Sequence, residues 1–98
     1  MEKKGYLFAE LTITDPDVFY NEYMVSVRPV LEKFGATFLV GTNQPHVIEG
    51  SRIVPRVILL EFPSVDVAHD FYYSSDYQNI IDYRFRSSSA HLYILDGL

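Results

Sequence analysis

The sequence lacks cysteine and tryptophan and has few basic residues, and two of these shortages exclude whole classes of function. Without cysteine there is neither a disulfide framework nor thiol chemistry, which is typical of a protein from a reducing compartment. Eight Lys and Arg face 13 Asp and Glu, which gives a net charge of −5. Nucleic acid and anionic membrane are therefore not expected as partners, because both require clustered basic residues.

Long hydrophobic runs are also missing, so no segment is expected to span a bilayer. The apolar stretch near the start is interrupted by Glu10 and lacks a cleavage-like site. We therefore expect no signal peptide and a cytoplasmic protein. A chain of 98 residues, 48% of them hydrophobic, predicts one domain over residues 1–98 with a single core.

Aromatic residues are abundant, with eight tyrosines and seven phenylalanines. Buried tyrosine hydroxyls need polar partners, which favours a lined cavity or a partly polar interface. The simpler alternative is that the rings fill the core with their hydroxyls at its edge.

The stretch 55–77 predicts a buried strand that leads directly into an amphipathic helix, and we expect the rest of the chain to pack on it. Residues 56–62 are apolar almost without interruption and rich in β-branched side chains, as in a strand covered on both faces. Pro63 ends the strand, and Ser64 is a candidate N-cap for the helix.

Before this stretch, residues 6–13 predict a first strand, and Asp15 caps the helix that follows. Pro29 inside that helix predicts a kink or a restart near residues 26–28, and Gly35 ends the helix. After the helix, residues 36–40 predict a second strand. Three further elements are expected: a short strand over 46–49, a helix restart at Ser75 with Gln78 in a capping box, and a last strand over 90–95.

This order of elements predicts an α+β fold of the ferredoxin-like kind, a four-stranded antiparallel sheet with helices on one face. Two helices leave the other face of the sheet uncovered, although its residues are largely apolar. A homodimer is therefore expected, with Phe8, Leu59 and Tyr93 buried between the subunits.

Short motifs along nearly the whole chain carry a family resemblance. They are Gly5-Tyr6-Leu7, Thr14-Asp15-Pro16 with Tyr20 and Tyr23, residues 34–40, Ile48-Glu49-Gly50, Glu61-Phe62-Pro63-Ser64, Tyr77-Gln78 and Arg84. These motifs resemble the family called domain of unknown function 1330. The resemblance implies a dimeric α+β barrel, in which two ferredoxin-like subunits pack sheet to sheet, and it implies no established activity.

Three residues are candidates for catalysis. We expect the first and third strands to be central and parallel, with the fourth antiparallel beside the first. Glu10, Glu61 and His91 should then lie at the same end of the sheet. A desolvated carboxylate with an orienting histidine can act as a general base. The structural alternative is that each strand-end glutamate is solvated or paired with an arginine. Strand alternation does not tell which face of the sheet carries these residues.

A pocket for a substrate is expected beside the candidate base. Arg84 is expected to hold a substrate carboxylate. The predicted walls are Tyr20, Tyr23, Phe71, Tyr72 and Tyr77. No metal site is expected, because His46, His69 and His91 have no ligand spacing. The resemblance extends to a wider superfamily whose haem-handling members carry an axial histidine on the second helix region, and residues 76–86 contain none. No cofactor is expected.

Two classes of function remain open. The first is a cofactor-independent enzyme of the monooxygenase or isomerase kind, acting on a small aromatic or acidic compound. The second is a non-catalytic dimer that binds a small ligand or is purely structural. Charged residues converging in an apolar pocket favour the enzyme, whereas a pocket filled by its own tyrosines favours the second class.

Overall fold

A four-stranded sheet is the centre of the computed structural model, which describes residues 3–98. Strands β1 (Gly5–Ile13), β2 (Thr37–Thr42), β3 (Arg56–Phe62) and β4 (Ser88–Asp96) lie in the order β2-β3-β1-β4. Each neighbouring pair is antiparallel. The predicted α+β, ferredoxin-like architecture is confirmed.

The predicted parallel pairing of the first and third strands is wrong. Tyr6 of β1 lies opposite Glu61 of β3, and Leu11 lies opposite Arg56, so the two strands run in opposite directions. The connectivity explains the difference. A helical crossover joins β1 to β2 and makes them parallel, and β3 then returns between them, antiparallel to both.

The first helical run has three consecutive parts: α1 (Pro16–Val18), a π-helical turn (Phe19–Tyr23) and α2 (Met24–Lys33). The cap predicted at Asp15 is present, since its Oδ1 accepts a hydrogen bond from the backbone N–H of Val18 at 3.3 Å. One N–H group of the first turn, that of Val18, therefore has the side-chain acceptor that the sequence predicts.

The helix does not restart near residues 26–28, because α2 continues from Met24 to Lys33 with Pro29 inside it. The irregularity lies earlier, in the π-helical turn, where Met24 N–H donates to the carbonyl of Phe19, five residues back. Pro29 is exposed, so the carbonyl that loses its intrahelical donor lies on the solvent side. Gly35 ends the run at φ +70°, the left-handed conformation expected after a helix.

The second helical run is α3 (Val65–Tyr73), α4 (Ser75–Gln78) and α5 (Ile81–Ser87). Ser64 caps α3 as predicted, with its Oγ accepting from the N–H of Val67 at 3.2 Å. This cap packs on the start of β1, where a Cβ added to Gly5 would lie 2.5 Å from the Ser64 carbonyl oxygen. Gly5 therefore permits the close contact between sheet and helix.

The predicted capping box at Ser75 is wrong, because Ser74 is the cap of α4. Its Oγ accepts from the N–H of Tyr77 at 3.1 Å. Gln78 instead donates from Nε2 to the carbonyl of Tyr72 at 2.7 Å, so it supports the end of the preceding helix. The extended backbone of Ser74, with ψ 149°, places the break one residue earlier than expected.

The segment from 43 to 55, called the arm below, contains no strand, so the short strand expected over 46–49 is wrong. Ile48 and Ile53 are 88% and 89% exposed. A strand needs a neighbour with which to pair. Both edges of β3, the strand that follows the arm, are already paired with β2 and β1, so the arm has no free edge of β3 to pair with.

The core lies between the helices and one face of the sheet. Alternate residues of β1 and β3 face it, and its largest fully buried side chains are Phe19, Phe62, Phe71 and Tyr77. The opposite face, called the open face, consists of Tyr6, Phe8, Glu10, Val57, Leu59, Glu61, His91, Tyr93 and Leu95. Within residues 3–98, no helix has the length and apolarity needed to cross a membrane.

Candidate functional site

A buried polar chain of Tyr23, Tyr77 and Arg84 crosses the core between the helices and the sheet; we call it the tyrosine–arginine chain. The hydroxyl oxygens of Tyr23 and Tyr77 are 2.8 Å apart, and Nε of Arg84 donates to the Tyr77 hydroxyl at 3.1 Å. The three side chains are 7%, 1% and 7% exposed. Tyr23 comes from the π-helical turn, Tyr77 from α4 and Arg84 from α5, so three separate elements must dock to form the chain.

Burial determines the ionisation of this chain. Burial, together with the neighbouring Tyr77, raises the pKa of the Tyr23 hydroxyl well above its ordinary value. For Arg84, burial alone lowers the pKa, but the charge interactions with Tyr77 and Tyr23 outweigh it and raise the pKa overall. The chain therefore holds a neutral hydroxyl beside a charged guanidinium, which can donate hydrogen bonds to an oxyanion but cannot readily remove a proton.

The space beside this chain is small. The interior cavity measures about 30 Å³, which is room for about one water molecule. Phe71 and Tyr72 fill the surroundings, with ring centroids 4.6 and 5.5 Å from that of Tyr77. Five of the predicted pocket residues, including Tyr23 and Arg84, thus come together, but they pack against one another. Their role in binding a substrate stays a prediction.

Glu10 and His91 lie directly opposite each other on β1 and β4. Oε2 of Glu10 is 2.6 Å from Nη2 of Arg52, an ion pair that ties the arm to the sheet. These residues border a polar pocket of about 200 Å³ on the open face. Glu10 is therefore paired with an arginine, as expected if it has a structural role and is not the catalytic base.

Glu61 lies at the opposite end of the sheet from this pair. It faces Tyr6, four residues before Glu10 on β1, which is a separation of about 14 Å along the strand. The hydroxyl of Tyr6 donates to Oε2 of Glu61 at 3.1 Å, and this hydrogen bond raises the pKa of Tyr6. The expected gathering of both glutamates at one end is therefore wrong, because β1 and β3 are antiparallel.

Arg84 is separated from these three residues by the sheet itself. Glu10, Glu61 and His91 belong to the open face, whereas Arg84 is buried on the helix face. One ligand cannot contact both sets, so the prediction that the four form a single site is also wrong. The antiparallel register and the two-residue alternation of the strands impose this division.

A cleft of about 680 Å³ lies between the first helical run and the edge strand β2. We call it the outer cleft. Its walls are Tyr20, Met24, Val25, Arg28, Leu31, Glu32, Ala36, Phe38, Gly41 and Arg56. Tyr20, predicted as part of the tyrosine pocket, lies here, because the π-helical turn directs Phe19 and Tyr23 inwards and leaves Tyr20 39% exposed.

Arg56, which was not among the predicted site residues, is buried and lines the outer cleft. Its guanidinium carbon lies 5.8 Å from the ring centroid of Tyr20. One signal was available: Arg56 is the only charged residue of the alternating set that faces the core, Arg56, Ile58, Leu60 and Phe62.

No cluster of three or more His, Asp or Glu side chains in residues 3–98 is arranged to hold a metal ion. His46 lies on the arm, His69 is exposed on α3, and His91 is exposed on β4. The three imidazoles therefore sit on separate elements, and no shared centre can be described for them.

Comparison with known proteins adds a family and a fold. Residues 4–98 match the family described as Domain of unknown function (DUF1330). No curated protein matches the chain in sequence.

Solved structures of two proteins resemble this one. The first is RPA0582, a protein of unknown function from Rhodopseudomonas palustris, with TM-score 0.79 and 16% identity over 100% of this chain and 85% of that chain. The structure of methylated RPA0582 has a TM-score of 0.76 and 18% identity, and the match covers 100% of this chain and 83% of that chain. The second is SnoaB, a cofactor-independent oxygenase from Streptomyces nogalater. Its structure has a TM-score of 0.67 and 8% identity, and the match covers 97% of this chain and 92% of that chain. At such identities the likeness shows the fold alone.

Proposed function

Since this chain belongs to the DUF1330 family, whose description assigns no activity, we propose from its geometry that it is a homodimer that binds a small molecule in the outer cleft of each subunit. The observation that carries this proposal is the difference in space between the two candidate sites. The outer cleft has about 680 Å³, within the range of small-ligand pockets, whereas the interior has about 30 Å³. The proposal includes a cytoplasmic location, which rests on composition alone.

The lining of the outer cleft supports ligand binding. Met24, Leu31 and Phe38 give it an apolar wall, and Tyr20 supplies an aromatic face. Arg56 adds a polar group at the inner end. Apolar walls with a few fixed polar groups are typical of small-molecule sites.

The dimer rests on the open face of the sheet. Tyr93 and Leu95 are each 47% exposed, and the ring of Phe8 stacks on that of Tyr93 at 6.3 Å between centroids. An apolar sheet face of this kind requires a cover, and a second copy of the chain offers a matching surface. An interface of more than about 2,000 Å² is expected if the association is obligate.

Light scattering tests the dimer. The wild type should have twice the chain mass of 11.3 kDa, and Leu59→Glu, on the open face, should have the monomer mass. Tyr73→Glu is the matched control, because Tyr73 is 73% exposed on the opposite side, on α3. A wild type that is monomeric at micromolar concentration, with its fold intact, would refute the dimer.

A thermal-shift screen of small aromatic and carboxylic compounds tests the ligand site. Val25→Trp should block the outer cleft and abolish the shifts, since Val25 lines it and is 63% exposed. Glu22→Trp, on the exposed side of the same helical run and outside the cleft, should keep them. Hits that survive Val25→Trp would place binding elsewhere.

A cofactor-independent enzyme of the monooxygenase or isomerase kind is the second candidate, and the tyrosine–arginine chain favours it. Met24, Leu31 and Phe38 line both the outer cleft and the interior cavity, so only their side chains separate a ligand from Tyr77. Arg84 and the neutral Tyr23 would then stabilise a developing oxyanion. The interior lining contains no carboxylate or imidazole to act as a base, which places this candidate second.

Turnover assays on the screening hits, including oxygen consumption, separate the two candidates. An enzyme should convert at least one hit, and Tyr77→Phe should lower kcat by tenfold or more. A binding protein should release every hit unchanged. The matched control is Tyr73→Phe, which removes an exposed hydroxyl outside both cavities.

A further inference from the structure

We propose that the ligand of the outer cleft is a small organic acid with one carboxylate, held by Arg56; this inference rests on the proposed function. Arg56 is the first residue of β3, and its side chain is 8% exposed. Nη1 donates to Oδ1 of Asn43 at 2.8 Å, while Nε is buried without a hydrogen-bond partner. Buried guanidinium N–H groups normally have acceptors, so the site is short of at least one.

Among residues 3–98, no carboxylate forms an ion pair with this guanidinium. The ion pairs within residues 3–98 join Lys33 to Asp76 and Arg52 to Glu10, and neither involves Arg56. A buried cation without an anion is energetically unfavourable, and Glu32, the acidic residue of the cleft wall, forms no ion pair with Arg56. An anionic ligand would complete the arrangement.

The surroundings keep the guanidinium in place and accessible. Arg56 and Tyr20 line both the outer cleft and an adjoining cavity of about 240 Å³, so the pair forms the partition between them. The Tyr20 ring and the Asn43 amide fix the position of the guanidinium. A Cβ at Gly41 would lie 2.6 Å from the Phe38 ring and 3.3 Å from Nη2, so the glycine makes room for the ring and the guanidinium to lie side by side at the cleft.

Shape and charge indicate a monocarboxylate. A planar carboxylate matches the fork of an arginine, and the apolar wall of the outer cleft suits a hydrophobic body. Arg28 and Glu32 lie one turn apart on α2 at the rim and balance each other, which leaves Arg56 as the net charge of the site. A second negative charge on the ligand would approach Glu32 and be disfavoured.

The test is an NMR titration of the full chain with benzoate, with its neutral analogue benzamide, and with inorganic phosphate. Benzoate should shift amides around the outer cleft and bind at least tenfold more tightly than benzamide or phosphate. Arg56→Gln should weaken benzoate binding at least tenfold and leave benzamide binding unchanged. Arg52→Gln is the matched control, because Arg52 is an exposed arginine outside the cleft, and it should bind benzoate like the wild type.

The outcomes separate this inference from the proposed function. If benzamide binds in the cleft as tightly as benzoate, and Arg56→Gln weakens neither compound, the cleft binds ligands but does not select a carboxylate. If phosphate binds as tightly as benzoate, the site recognises an anion alone and the claim that the ligand is an organic acid is refuted. If none of the probes and none of the screening hits shifts the cleft amides, the proposed function itself fails. Should Arg56→Gln not fold, Arg56→Lys keeps the charge without the fork and should still weaken benzoate binding several-fold.

Discussion

Two buried arginines on the helix side of the sheet have opposite surroundings. Arg84 is 7% exposed and donates from Nε to Tyr77 inside a packed core, next to a cavity of about 30 Å³. Arg56 is 8% exposed, has an Nε without an acceptor, and borders a cleft of about 680 Å³. Equal burial therefore does not mean equal function: the protein completes the first site with its own hydroxyl and leaves the second incomplete.

The largest effect is expected from removing the acceptor of Arg84. Tyr77→Phe should lower the free energy of unfolding by about 2 to 3 kcal/mol, because it strands a charged donor in the core. Urea denaturation measures the change. Tyr73→Phe, which removes an exposed hydroxyl, should cost less than about 0.5 kcal/mol. A loss below about 1 kcal/mol for Tyr77→Phe would show that Arg84 does not depend on this hydroxyl.

The next effect appears at alkaline pH, where Tyr23 reports on the same core. Its folded pKa is raised by burial, whereas in the unfolded chain it ionises near pH 10. The associated stability is complete below about pH 10 and is lost as the pH rises towards the folded pKa, by up to about 1.4 kcal/mol per pH unit. Denaturation at several pH values should show this slope, and Tyr23→Phe should reduce it. Tyr6 has a raised pKa through Glu61, so Tyr6→Phe is the comparison variant.

Replacing Arg84 itself should cost less than stranding it. Arg84→Met should destabilise the protein by about 1 kcal/mol, because it removes the buried charge together with its desolvation cost, and Tyr77 keeps Tyr23 as a partner. Added to Tyr77→Phe, it should recover part of the stability lost in that variant. A double-mutant cycle in urea measures the coupling, and strict additivity would contradict the role assigned to the Arg84–Tyr77 contact.

The smallest effect is expected at the second arginine. Asn43→Ala removes the amide that accepts from Nη1 of Arg56, yet it should cost about 0.5 kcal/mol or less, since Arg56 borders an open cleft where water can replace the amide. The same urea assay applies. A loss as large as that of Tyr77→Phe would remove the distinction between the two arginines.

Much of the fold was predictable from local patterns. The apolar runs 6–13 and 56–62 identified two central strands, and Asp15 and Ser64 identified two helix starts. These signals are local, so they do not depend on how distant strands pair.

The candidate site was less predictable, because its geometry depends on strand direction. The antiparallel pairing of β1 with β3 separated Glu10 from Glu61, and the sheet separated both from Arg84. Nothing local to these residues encodes that relation. Arg56 was missed for a different reason: its burial follows from the strand, but its lack of a partner is known only when every neighbouring element is in place.

The position of β1 between β3 and β4 also constrains when the protein can fold. Leu7 pairs with Leu60 and with Ile94, so each edge of the central strand can pair only with residues that lie more than 50 positions later in the chain. Contacts of such long range slow folding, because the chain loses the entropy of closing the loop before the strand pairing contributes any stabilisation. During synthesis β1 emerges first, and until residues 88–96 have left the ribosome one of its edges has no partner. A chaperone that shields this early apolar strand should therefore raise the yield of folded protein.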